Sequence, residues 1–222
     1  LKAEVEALAA KLGLSRTGSS GDETVLAKGD YLLTFKPSGL CLESNQQGGH
    51  GPIRCDFDSG TITHRRKYGG GNGQSIAKAV GISGKFMPHV LDLTAGMGSD
   101  GFVLAGLGCR LTLLERNSIV YSLLYDGLQR ASLAGMGDSG LAEVVARIDL
   151  LEADSLTYLQ SLESAQLPDV IYIDPMFSAR KKSATVKKEM QVFHGIVGAD
   201  ADDAELLLLA MTRANARVVV KR

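Results

Sequence analysis

The sequence predicts an α/β protein built on a doubly wound, mostly parallel sheet, with a small β-rich portion ahead of it. Three observations carry that prediction. From Pro88 onward, apolar runs of strand length alternate with helix-length segments, the pattern of βα units joined by right-handed crossovers. Four successive apolar runs end in, or are followed by, a carboxylate: Asp92, Glu115, Asp154 and Asp174. From about Asp30 to Asp58 the pattern is of another kind, with short apolar runs separated by Pro, Gly, Ser and Asn.

Taken in order, the N-terminal runs are Tyr31 to Phe35, Leu40 to Leu42 and Ile53 to Phe57, each read as a strand. The cluster Gly69-Gly70-Gly71-Asn72-Gly73 reads as a hinge or close-approach loop. It divides an N-terminal portion, residues 1–74, from a second part, residues 75–222. In the second part His89 to Leu93 reads as strand, Ser99 to Leu107 as helix, Cys109 to Glu115 as strand and Ser118 to Ala134 as helix. Arg147 to Glu152 follows as strand, Ser155 to Ser164 as helix and Val170 to Ile173 as strand. Helices in the Val186 to Arg213 region and a strand from Arg217 to Val220 close the sequence.

Composition narrows the class. At 222 residues, 45% hydrophobic and 22% charged, the chain is long enough to bury a sizeable core and has the balance of a soluble globular protein. No apolar run approaches the roughly 20 residues of a membrane helix and no signal peptide is visible, so a cytoplasmic location is expected. Cys41, Cys55 and Cys109 are widely spaced, which suggests reduced, structural thiols and neither a disulfide framework nor a zinc site. The net charge of −1 hides two basic runs, His64-Arg65-Arg66-Lys67 and the group Arg180, Lys181, Lys182, Lys187 and Lys188. They read either as one phosphate-binding face or as solvated loops.

Residues 90–101, Val-Leu-Asp-Leu-Thr-Ala-Gly-Met-Gly-Ser-Asp-Gly, are an apolar strand running into a glycine-rich turn that opens a helix. Gly96, Gly98 and Gly101 spell G-x-G-x-x-G, the fingerprint of a dinucleotide turn, and the same letters describe an S-adenosylmethionine loop. In an open α/β sheet the ligand lies outside the carboxyl ends of the strands, where the four carboxylates fall. Glu115, 19 residues after Gly96, is placed to bind ribose hydroxyls, which both cofactors carry. Asp154 suits an adenine amine or, equally, the N-cap of the helix opened by Ser155. Asp92 discriminates: beside a pyrophosphate it would meet like-charge repulsion of a few kcal/mol, whereas it attracts the ammonium and sulfonium of S-adenosylmethionine. The literal glycine motif keeps a nicotinamide-dependent dehydrogenase as the competing reading.

Val170-Ile171-Tyr172-Ile173-Asp174-Pro175-Met176-Phe177 points to the acceptor. Pro175 fixes φ and lacks an N–H, leaving carbonyls at the strand end free to accept hydrogen bonds. Asp174 and such a carbonyl can hold both hydrogens of an exocyclic amine, and Phe177 can stack on the base, a contact worth about 1–3 kcal/mol. The plainer alternative is a turn with Phe177 in the core.

Leu91-Asp92-Leu93-Thr94-Ala95-Gly96-Met97-Gly98 resembles motif I of class I S-adenosylmethionine-dependent methyltransferases. Asp174-Pro175-Met176-Phe177 resembles the (N/D)-P-P-(F/Y) motif of base-amine methyltransferases, with Met176 where many have a second proline. More narrowly, the chain is similar to the ribosomal RNA small subunit methyltransferase J family. That similarity covers His64 to Gly71, Asp92 through Leu114-Glu115-Arg116-Asn117, Asp174 to Phe177 with Lys187-Lys188-Glu189-Met190, and Val218 to Arg222. The resemblance implies a Rossmann-like fold, S-adenosylmethionine as donor, and methylation of the exocyclic N2 amine of a guanosine in 16S rRNA of the small ribosomal subunit. It assigns donor contacts to Asp92, Gly96, Gly98, Ser99, Asp100, Glu115, Arg116, Asp154, Ser155 and Asp174, and catalysis to Asp174, Pro175 and Phe177. His64, Arg65, Arg66, Lys67, Lys181, Lys182, Lys187 and Lys188 are then expected on RNA phosphates, and the target base unpaired or flipped. No metal and no His or Cys nucleophile is implied. A class I sheet has seven strands and this sequence ends in the fifth, so the closing hairpin is expected outside it. Three alternatives remain open: another small-molecule or nucleic-acid amine methyltransferase, the dehydrogenase, and a non-catalytic RNA-binding module.

Overall fold

The computed structural model describes residues 2–20, 23–28, 31–44, 51–57, 75–174 and 203–221. Helix α1 (Lys2–Leu12) leads into strands β1 (Ser15–Ser20), β2 (Glu23–Lys28), β3 (Tyr31–Lys36) and β4 (Gly39–Ser44), an antiparallel sheet in sequence order. After α2 (Ser75–Val80) come β5 (His89–Asp92), α3 (Ser99–Gly106), β6 (Arg110–Glu115), α4 (Ser118–Gly135), α5 (Ser139–Val145) and β7 (Ile148–Glu152). The chain continues through α6 (Ser155–Ser161), a 3-10 turn (Ser164–Gln166), β8 (Val170–Ile173), α7 (Asp203–Arg213) and β9 (Arg217–Val220).

The second sheet is parallel throughout, in the order β7-β6-β5-β8-β9. The chain winds outward from β5 to β7 and then returns to build β8 and β9 on the other side. The order therefore reverses between β5 and β8, and the crevice at their carboxyl ends is where such a sheet binds ligands. Successive residues of these strands feed opposite layers, as a period of two requires. Val90, Leu111, Leu113, Val170 and Tyr172 pack with Phe102, Leu104, Leu123 and Leu124 of α3 and α4. Leu91, Leu114, Ile171 and Ile173 pack with Leu159 of α6 and Ala210 of α7. Coverage on both faces explains why Val170–Ile173 is apolar at every position and fully buried.

The N-terminal sheet shares the first of these layers. Leu33, Leu40, Leu42, Cys55 and Phe57 belong to one hydrophobic cluster with Phe102, Leu124 and Leu128. A polar seam fixes the contact: Asp126 Oδ2 accepts hydrogen bonds from the Leu40 backbone N (3.0 Å) and Arg130 Nε (2.9 Å), and Arg130 also donates to the Cys55 carbonyl. A Cβ on Gly127 would fall 2.5 Å from that of Cys55, so glycine lets α4 approach the 51–57 segment. At the other edge Lys11 of α1 pairs with Glu152 and lies 4.8 Å from the centre of the Tyr121 ring.

Differences from the sequence expectation cluster in weakly patterned stretches. Ile53 to Phe57 is not a strand; only Ile53 pairs, in a single bridge to Leu42, and the Cys55 carbonyl goes to Arg130 instead of a ladder. Helices α1, α2 and α5 and strands β1 and β2 are additional, and the helix from Ser155 stops at Ser161, because Leu162 is extended. Of the helical region from Val186, only α7 falls among the described residues. Cys41, Cys55 and Cys109 are free and buried. No helix among the described residues is long and apolar enough to cross a membrane.

Candidate active site

The glycine turn is built by backbone bonds from both neighbouring strands: Leu93 N donates to Tyr172 O and Ala95 N to Leu114 O, each at 3.0 Å. Gly96 (φ +53°) and Gly98 (φ +71°) are left-handed, a conformation that costs other residues about 1 kcal/mol or more. Their surroundings differ. A Cβ on Gly98 would meet Leu124 Cδ1 at 2.5 Å and Phe57 Cζ at 3.2 Å, whereas one on Gly96 would meet nothing closer than Thr94 O at 3.9 Å. Gly96 therefore faces open space and Gly98 faces packing. Gly101, whose Cβ would lie 2.7 Å from Leu113 Cδ2, seats α3 on β6. Phe57 stacks on Phe102 with ring centres 4.4 Å apart, and Cys55 Sγ lies 3.5 Å from the Met97 carbonyl oxygen. The 51–57 segment thus buttresses the turn, a role the sequence pattern did not disclose.

On one flank stand Glu115 and Asp154. Glu115 is buried, and its carboxylate ties the turn together: Oε2 accepts from Gly96 N (3.0 Å) and Oε1 from Asn117 N (2.7 Å). Burial pushes its carboxyl above the ordinary range, and those backbone bonds pull the other way. Asp154 is exposed and caps α6, with Oδ1 accepting from Thr157 N (2.9 Å) and Thr157 Oγ1 (2.8 Å). These bonds hold its carboxyl below the ordinary range. Ser155 is buried and donates from Oγ to the Leu93 carbonyl at 2.6 Å. Arg116 and Ser99 are exposed beside the same strand ends.

On the other flank three carboxylates from three elements converge. Asp92 is 2% exposed; Oδ1 accepts from Thr94 N at 2.9 Å, and Oδ2 has no partner among the described residues. Burial pushes its carboxyl up to about 7. Asp174 N donates to Thr94 Oγ1 at 2.7 Å. Lys221 Nζ lies 2.8 Å from both Asp100 Oδ2 and Asp174 Oδ2, and Tyr172 donates its hydroxyl to Asp100 Oδ2 at 2.7 Å. Burial, then the bond to Asp100, pushes the Tyr172 phenol up. Burial pulls the Lys221 ammonium down, but the bonds and charges of Asp100 and Asp174 outweigh it and hold it above its ordinary value. Thr94, Tyr172 and Lys221 were not among the expected site residues. Lys221 directly follows the apolar run Val218-Val219-Val220 of β9, so the strand-end rule, extended from carboxylates to any polar residue, would have found it. Pro175, Phe177 and the basic residues His64 to Lys67, Lys181, Lys182, Lys187 and Lys188 lie outside the described residues.

This arrangement fits a cationic nucleoside and not a pyrophosphate. The turn amides that would cradle phosphate are already committed: Gly96 N–H to Glu115 and Gly98 N–H to the Ala95 carbonyl, at 3.0 and 2.8 Å. The crevice holds more carboxylates than cations among the described residues, and the unpartnered Asp92 Oδ2 is an acceptor for an ammonium. Gly96 leaves room for close approach.

Known proteins agree with that geometry. A family model described as "Putative SAM-dependent methyltransferase", where SAM is S-adenosylmethionine, matches residues 22–222. A ribosomal RNA small subunit methyltransferase J from Cellvibrio japonicus is 53% identical over 194 residues, 87% of this chain and 73% of that protein. Its namesake from Pseudomonas fluorescens (strain SBW25) is 46% identical over 221 residues, 100% of this chain and 80% of the relative. The crystal structure of a SAM-dependent methyltransferase from Neisseria gonorrhoeae matches with a TM-score of 0.64 and 33% identity, over 99% of this chain and 80% of that one. Fold, site and likeness together define a SAM-dependent methyltransferase with a Rossmann-like sheet. Within that class, the chain belongs to the ribosomal RNA small subunit methyltransferase J family.

Proposed function

We propose that the chain transfers a methyl group from S-adenosylmethionine to the exocyclic N2 amine of a guanosine in 16S rRNA of the small ribosomal subunit. The observation that carries this reading is Asp174: it directly follows β8 at the switch point, is tied to Thr94 and Lys221, and is followed in sequence by Pro175-Met176-Phe177. Residues 75–222 serve as the donor-binding part and residues 1–74 support the turn and the RNA side. The reaction belongs to the cytoplasm, where such RNA is found.

When bound, the donor supplies an electrophilic methyl on a sulfonium and departs as a neutral thioether. Asp92 attracts its ammonium end, Gly96 admits it to the turn, Ser99 and Asp100 flank it at the start of α3, and Glu115, Arg116, Asp154 and Ser155 line the nucleoside side. The guanine N2 lone pair is delocalised into the ring, so the amine is a poor nucleophile. Asp174 and the Pro175 carbonyl accept its two hydrogens and aim the nitrogen, with Phe177 on the base face, and proximity supplies most of the rate. No general base is needed beforehand, because the attacking nitrogen becomes acidic once it carries the methyl group, and its proton leaves to the Asp174 carboxylate or to water. The target must be unpaired or flipped to reach this crevice. Lys181, Lys182, Lys187 and Lys188, which follow the Asp174 turn in sequence, and His64 to Lys67, which follow the Phe57 buttress, are assigned to flanking phosphates. Sequence-independent grips of this kind leave discrimination to RNA shape.

The decisive test is methyl transfer from labelled donor to small ribosomal subunits lacking the modification, with nucleoside analysis of the product. Asp174→Ala is expected to keep its fold while transfer at saturating donor falls by about 10²-fold or more, the scale of removing one group that acts on the reacting centre. Undiminished transfer, or label on an atom other than guanine N2, overturns the assignment.

A further inference from the structure

Strand β9 runs parallel to β8 with Val220 opposite Ile173, and the Lys221 amide donates to the Ile173 carbonyl at 2.9 Å, which brings Lys221 level with Asp174. The ammonium then reaches two carboxylates at once, Oδ2 of Asp174 and Oδ2 of Asp100, each at 2.8 Å. Asp100 is itself held, since the same oxygen accepts the Tyr172 hydroxyl at 2.7 Å. A relay Tyr172, Asp100, Lys221, Asp174 thus joins α3, β8 and the end of β9. Asp174 is fastened at its amide by Thr94 and at Oδ2 by Lys221, while its Oδ1 has no partner among the described residues.

From this geometry we propose that Lys221 is a positioning residue for methyl transfer: it fixes Asp174 through Oδ2 so that Oδ1 is presented to the target amine. The proposal rests on the reading of Asp174 given above. Fold stability is a poor reason for the contact. Lys221 and Asp174 side chains are 49% and 35% exposed, and ion pairs so open to solvent stabilise little. Geometry is a better one, because a carboxylate at a strand end rotates freely unless something outside its own strand holds it. Charge adds to it: Asp92, Asp100 and Asp174 gather at one end of the crevice, and the Lys221 ammonium lies between two of them, 2.8 Å from each. Lys221 does not touch the reacting atoms; it acts through Asp174.

The test compares the full chain with Lys221→Met and Lys221→Arg, measuring kcat and KM for small-subunit methylation, S-adenosylmethionine affinity by calorimetry, and thermal melting. Lys221→Met is expected to lose about 10²-fold in kcat, the scale of a catalytic group displaced by an ångström, with donor affinity within about threefold of wild type. Lys221→Arg, which keeps the charge and the donors, is expected to regain about tenfold of that loss. Wild-type kcat in Lys221→Met, a loss explained wholly by donor affinity, or equal activity of the Met and Arg variants overturns the proposal. Should Lys221→Met melt early, Tyr172→Phe releases Asp100 while keeping the ammonium, and is expected to lower kcat at saturating donor by a smaller factor; unchanged kcat there also counts against the relay. Asp174→Ala in the same assay separates the two readings: if it is inactive while Lys221→Met is normal, only the positioning role falls, and if both are fully active the assignment of Asp174 falls first.

Discussion

The two flanks of the glycine turn hold their carboxylates in opposite ways. On the β6 and β7 flank, Glu115 and Asp154 are satisfied mainly by near neighbours in the chain: Asn117 is two residues from Glu115 and Thr157 three from Asp154, with Gly96 the one longer reach. On the β5, β8 and β9 flank, the bonds that organise Asp100 and Asp174 span 47 to 121 residues and come from side chains. Most of the bonds of the first flank are made within a few residues of a strand end. The second exists only once the whole sheet is closed. Under the proposed function, the first flank serves as a cradle for the nucleoside and the second as the charge-rich end beside the reacting methyl, and each flank makes a prediction that the other does not.

The largest effect is expected at Asp92, where the second flank is most deeply buried. Its carboxyl is pushed up to about 7 by burial, so between an ordinary carboxylate value near 4 and that value the folded state binds more protons than the unfolded chain. Stability from this group is then complete at low pH and is lost as pH rises, by about 1.4 kcal/mol per pH unit at most. Between pH 5 and pH 7 the wild type should lose roughly 2–3 kcal/mol that Asp92→Asn, which keeps the acceptor for Thr94 N, does not. Urea midpoints of both proteins across this range measure the difference; parallel curves would show that Asp92 is already ionised. The same linkage makes the cationic donor bind more tightly at pH 8 than at pH 6, and Asp92→Asn should flatten that dependence.

A middling effect is expected at Glu115. Two backbone N–H groups, of Gly96 and Asn117, point at its two oxygens, and a Gln side chain can accept from only one of them. Glu115→Gln therefore leaves a buried donor facing an amide N–H, at a cost of about 1–3 kcal/mol. Chemical denaturation should show the loss at neutral pH, with donor affinity falling because Gly96 is no longer held. A variant as stable as wild type would mean that the turn does not depend on this tie, and the contrast between the flanks would lose one of its two supports.

The same contrast explains what could be read from the chain alone. Alternation of apolar runs with helical segments, the glycine turn and the carboxylates at strand ends are local patterns, and they placed β5 to β9 and put Glu115 and Asp154 at their strand ends. Strand ends mark Asp174 and Lys221 in the sequence, but the bonds of the Tyr172, Asp100, Lys221, Asp174 relay left no local pattern, because its members meet only through parallel pairing of β8 with β5 and β9. β1, with the sequence Ser-Arg-Thr-Gly-Ser-Ser, has no apolar alternation and is a strand by virtue of pairing with β2. Phe57 reads as the end of a strand, yet its aromatic ring was recruited to stack on Phe102 and fill the space that Gly98 leaves. Propensity and periodicity report what a segment prefers; they are silent on which distant side chain will meet it.

The smallest effect, and the finest discrimination, is expected at Asp154. Its Oδ1 caps α6 through Thr157 N, and removing such a cap costs about 1 kcal/mol. Its carboxyl is held below the ordinary range by those bonds, so the stability it supplies is present at neutral pH and is lost as pH falls through the lowered value. Asp154→Ala should therefore be slightly less stable than wild type at pH 7 and converge with it in acid. Asp154→Ser restores the cap but not the carboxylate. If Asp154 serves only the helix, the Ser variant regains both stability and donor affinity. If its other oxygen also receives the adenine amine, stability returns and calorimetric affinity for the donor stays weakened, which separates a structural cap from a binding residue at one exposed position.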